Sequence, residues 1–79
     1  MENTHKRIVK PVTRLGIKAI TDARFTNSGN AVVYTRGEPD KSMRVSVTNA
    51  LRGKTNQVMW KSASGSHKVF GVTRLSQRA

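Results

Sequence analysis

The amino-acid sequence predicts a mostly β fold, a small antiparallel sheet or barrel of four to six strands, with one short helix near residues 48–53 as the alternative to a loop there. Two observations carry that expectation. Apolar and polar side chains alternate with a period of two in several segments, and clusters of Gly, Asn, Ser and Pro separate those segments at roughly even spacing. The length limits the rest: 79 residues hold one hydrophobic core, so residues 11–79 are read as a single domain preceded by a flexible basic arm over residues 1–10.

The arm is polar and basic, with only Ile8 and Val9 apolar, and Pro11 interrupts regular structure at its end. From Thr13 the residues Leu15, Ile17 and Ala19 alternate with Arg14, Gly16 and Lys18, the pattern of a half-buried first strand. A helix beginning at Pro11 competes with that reading, but Gly16 and the β-branched Val12, Thr13, Ile17, Ile20 and Thr21 weigh against it. After Phe25, the cluster Thr26, Asn27, Ser28, Gly29 and Asn30 reverses the chain.

Val32, Val33 and Tyr34 form the next strand, and Gly37 to Asp40 supply a second turn. Met43, Val45 and Val47 then alternate with Ser42, Arg44 and Ser46, which predicts a strand that completes a hairpin with the one before it. Thr48 is placed to cap a short helix ended by Gly53. Residues 57–61, with Val58, Met59 and Trp60, form a further strand, residues 62–66 turn, and residues 67–75 form the last strand. Val-Thr-Arg-Leu occurs at 12–15 and again at 72–75, which would make first and last strands neighbours in a closed barrel.

Charge is the strongest compositional signal. Fifteen Lys and Arg against four Asp and Glu give a formal net charge of +11, and a surface so unbalanced favours a polyanionic partner. On the expected strands Arg14, Lys18, Arg44, Lys61, Lys68 and Arg74 fall between core positions, as they would on one positive sheet face contacting several phosphates. The loop carrying Arg52, Gly53 and Lys54 joins two cations to a flexible glycine, good chemistry for a phosphate. Among four aromatic residues, Trp60 beside Lys61 and Phe70 beside Lys68 are the rings placed to stack on an unpaired base, with burial in the core as the competing use.

These features predict a non-enzymatic nucleic-acid-binding module, for DNA or RNA and with little sequence specificity. The alternative is a small regulator or inhibitor, of viral or phage type, that docks on an acidic host protein. A metal-independent ribonuclease using His67 is a third reading, with Tyr34 and neighbouring cations at the scissile phosphate; no pair of carboxylates supports acid–base chemistry. No metal or cofactor site is expected, since there is no cysteine and His5 and His67 lie far apart in sequence. The absence of cysteine and of a long apolar run fits a soluble protein of the reducing cytoplasm. Self-association is a natural source of extra stability for so small a core.

Overall fold

The computed structural model describes residues 7–26, 28–66 and 68–75. Over these residues the chain runs α1 (Lys10–Thr13), β1 (Ile20–Phe25), β2 (Ala31–Thr35), α2 (Lys41–Leu51), β3 (Gln57–Ser62) and β4 (Val69–Arg74). The fold is mostly β, with four strands in one sheet in the order β1-β2-β3-β4. β1 pairs antiparallel with β2 and β3 antiparallel with β4, but the central pair β2 and β3 is parallel, joined through α2. The sheet is therefore mixed and open, with β1 and β4 at opposite sides. The two Val-Thr-Arg-Leu segments are not neighbouring strands: one ends α1 and the other ends β4.

Residues 13–19, expected as a strand, instead leave the single helical turn of α1 and cross to β1. Pro11 sits in the first turn of α1, where its missing N–H costs nothing and its fixed φ suits a helix. Val9 and Val12, three residues apart, are both buried, and Gly16 at φ +70° carries the chain away from the turn. The first strand thus begins seven residues later than the alternation from Thr13 suggests.

The larger correction concerns residues 42–47, expected as a strand and found as the first half of α2. Asp40 caps this helix, its carboxylate accepting from the Met43 N–H at 2.8 Å. Along α2 the residues meeting the core are Met43, Val47 and Leu51, four apart, whereas Val45 is 46% exposed. The helix expected over 48–53 is therefore real but starts at Lys41 and stops at Leu51. Gly53 at φ +84° then turns the chain, and the Lys54 and Thr55 N–H groups donate back to the Leu51 carbonyl.

The remaining turns and strands lie where the sequence places them. Thr26 donates its N–H to the Asn30 carbonyl at 2.8 Å to close the β1–β2 turn, and β3 and β4 occupy the segments expected for them. Residues 1–6 of the expected arm lie outside the described residues. The part from Arg7 to Lys10 is docked: Val9 donates to the Ala23 carbonyl at 2.9 Å, Phe25 donates to the Arg7 carbonyl at 3.0 Å, and Ile8 bridges to Arg24. This short segment extends the sheet beyond β1.

Both helices pack on one face of the sheet. Ala23, Ala31, Val33, Val58 and Trp60 alternate along their strands onto that face and close on Val9, Val12, Val47 and Leu51. Among the described residues no helix packs on the opposite face, and none is long and apolar enough to cross a membrane.

Candidate nucleic-acid interface

Strand polarity gathers one set of chain segments at a single end of the sheet: the end of β1, the starts of β2 and β3, the end of β4 and the end of α2. The Asn56 N–H reaches the Gly29 carbonyl at 3.3 Å, and the Leu75 N–H reaches the Asn56 carbonyl at 3.0 Å, so these segments are tied together. Five cations collect here, Arg7, Lys10, Arg52, Lys54 and Arg74, with no carboxylate among the described residues of this end.

Two adjoining surface clefts share Arg7, Phe25 and Lys54 in their walls. One extends to Thr26 and Gly29, the other to Ile8, Lys10 and Pro11. The Arg7 guanidinium lies 5.5 Å from the centroid of the half-buried Phe25 ring, close enough for a cation–π contact that holds the side chain against the ring. Such a cleft offers a phosphate several charged donors beside an aromatic surface.

Of the expected phosphate contacts, Arg52, Lys54 and Arg74 belong to this end. Lys61 and Arg74 point to the uncovered face of the sheet, because they are paired in register with Tyr34 and Gln57 and alternate with the buried Trp60 and with Thr73. Arg14 is exposed at the end of α1 and Lys18 is exposed in the loop before β1. Lys68 is exposed at the other end of the sheet, where its carbonyl accepts from the Ser62 N–H at 2.7 Å. Arg44 belongs to the helix-bearing face: its guanidinium lies 5.6 Å from the Trp60 ring centroid and its Nε donates to the Pro39 carbonyl at 3.3 Å. The six cations expected on one sheet face therefore do not share it. The single face expected from the alternation dissolves because residues 13–19 and 42–47 are not strands.

Trp60 belongs to the core and not to the surface. It is fully buried, its Nε1–H donates to Thr73 Oγ1 at 2.9 Å, and Arg44 covers one side, so its ring is not open to a base. Phe70 is half-buried and packs against the core. His67 lies outside the described residues.

Sequence reasoning passes over Arg7, Lys10, Arg24 and Phe25 as site residues. The first two carry the signal of a basic segment beside apolar residues, but that signal fits a mobile arm equally well. Arg24 is drawn to Asp22, its Nε donating to both carboxylate oxygens at 3.0 Å; two residues apart on β1, these side chains share a face. Of the other described carboxylates, Asp40 caps α2 and Glu38 is exposed.

No family model matches the chain, and no curated protein or solved structure shows significant similarity to it.

Proposed function

We propose that the protein binds nucleic acid without catalysing a reaction on it, with phosphates held at the end of the sheet that carries Arg7, Lys10, Arg52, Lys54 and Arg74. The observation that supports this reading best is the gathering of these five cations, from three separate chain segments, at one end of the sheet, where Arg7, Lys10 and Lys54 line clefts beside Phe25 and no described carboxylate intervenes. Cations that are far apart in sequence and close in space raise the local potential together, which favours a polyanion over a single small anion. The contacts go to phosphate and not to base edges, which agrees with little sequence specificity. A chain without cysteine suits the reducing cytoplasm, where such partners are met.

The test is a fluorescence-anisotropy titration against labelled oligonucleotides at several salt concentrations. With five phosphates neutralised on duplex DNA, the logarithm of affinity is expected to fall against the logarithm of salt with a slope of about −4.5. The double substitution Arg7→Ala and Lys54→Ala should make that slope shallower by about 2. A response that does not depend on salt, or capture of acidic proteins from nuclease-treated extract with no affinity for oligonucleotides, overturns the reading.

A further inference from the structure

The geometry points to the uncovered sheet face as a platform for unpaired bases, so that the nucleic acid this protein takes is single-stranded. The inference rests on the nucleic-acid reading above and adds the form of the ligand. Strand register defines the platform. Ile8 pairs with Arg24, Arg24 with Val32, Val32 with Met59, and Met59 with Val72, which makes one continuous row across the whole sheet. The neighbouring row runs Asp22, Tyr34, Lys61 and Val69.

Paired residues share a face, and this one alternates away from the buried core. Val32, in the middle, is closed off at 4% exposure, while Ile8, Val69 and Val72 are 49%, 49% and 46% exposed. Three of the five large, highly exposed hydrophobic residues among the described residues therefore lie on one face. Lys61 and Arg74 stand among them, and the one carboxylate of these rows, Asp22, is engaged by Arg24. A ligand that matches this face must present flat apolar groups and negative charge along one line. Unpaired nucleotides do so, whereas a duplex keeps its base faces stacked inside.

A second copy of the chain matches poorly. Five strand positions span about 20 Å and three side-chain rows a similar distance, giving roughly 400 Å², half of the ~800 Å² per partner of a stable interface. Each copy also carries a net charge of +11, and like charges would face each other. The face meets the cationic end described above at Arg74 and at the Arg7–Ile8 segment, so a strand lying on it leads its phosphates toward Lys54.

The experiment compares unstructured ten-nucleotide DNA and RNA strands with duplexes of the same length at fixed salt, for the full chain and for two variants. The wild type is expected to prefer the single strands by about tenfold, the scale of burying roughly 55 Å² of apolar surface. Val69→Ser with Val72→Ser, both at half-exposed positions away from the cleft, should remove most of that preference and leave duplex binding unchanged. In methyl NMR spectra of the wild type, Ile8, Val32, Met59, Val69 and Val72 should shift on addition of the single strand.

Equal affinity for both forms, or unshifted methyl groups during measurable binding, overturns the platform. If Arg7→Ala with Lys54→Ala weakens binding to every oligonucleotide while the sheet variant changes nothing, this inference fails and the nucleic-acid reading stands. If no oligonucleotide binds, both fail. A micromolar dimer dissolved by Val72→Lys, or methyl shifts caused by an acidic peptide and by no oligonucleotide, also overturns it.

Discussion

Trp60 shows how one side chain can be claimed by two uses. Next to Lys61 in the sequence it resembles a stacking residue, yet the same ring supplies the largest buried side chain of a core made chiefly of valines. A core this small has few other means of filling its volume. Burial makes its indole N–H an obligation, met by Thr73 Oγ1 at 2.9 Å. Thr73→Val removes that acceptor with little change of shape and is expected to cost about 1–2 kcal/mol in urea unfolding. Because Trp60 is the only tryptophan, its fluorescence reports directly on this site, and Thr73→Val should leave the native emission at short wavelength, since the ring stays buried. A long-wavelength native spectrum in the wild type would contradict the burial.

At the scale of elements, α2 is where alternative periodicities meet. Met43 and Val47 belong equally to a strand pattern with Val45 and to a helical one with Leu51, so the outcome depends on the other signals. Asp40 as cap and Gly53 as terminator both favour the helix, and the eleven helical residues Lys41–Leu51 between them suffice for three turns. The contrast gives a direct test. Val45→Glu should change stability by less than about 0.5 kcal/mol, as expected of a surface site. Val47→Ala should cost about 2 kcal/mol or more, and Asp40→Ala about 1 kcal/mol through loss of the cap. Equal penalties at Val45 and Val47 would restore the strand.

Turns, and strands whose two faces differ, are the parts of this fold that its residues announce locally. The segment 26–30 reverses by side-chain chemistry of its own, and β3 alternates between the buried Val58, Trp60 and Ser62 and partly exposed neighbours. The helices are hidden because each is short and shares positions with a strand pattern. The site is legible only as far as those assignments: Arg52, Lys54 and Arg74 come together as cations of one end. Arg7, Lys10 and Phe25 join them only through the docking of residues 7–10 on β1, a contact between segments that no local pattern encodes.

Across the whole molecule, charge outweighs every other feature. Thirteen of the fifteen basic side chains lie in the described residues, against three carboxylates. Without a ligand, repulsion among them lowers stability, and it is screened over about 10 Å at 0.1 M salt. The melting temperature of the free protein should therefore rise between about 20 and 200 mM monovalent salt. At low salt, an oligonucleotide at a hundred times its Kd should add about 2.7 kcal/mol, or more than ~10 °C at roughly 4–8 °C per kcal/mol for a domain of this size. Differential scanning fluorimetry reads both effects. A melting temperature that falls with salt and ignores the oligonucleotide would show that repulsion is not what limits the fold.

The parallel pairing of β2 with β3 also shapes how the chain reaches its structure. Each outer pair, β1 with β2 and β3 with β4, joins near neighbours in sequence across a short reversal and closes a small loop. The central seam joins residues 31–35 to 58–62 and must wait for α2 to span the gap between them. Neither hairpin alone carries a complete core, since Val33 and Val58 lie on either side of the seam and both pack beneath α2. Assembly is consequently all-or-none, with two locally formed halves gaining their stability at the moment they meet.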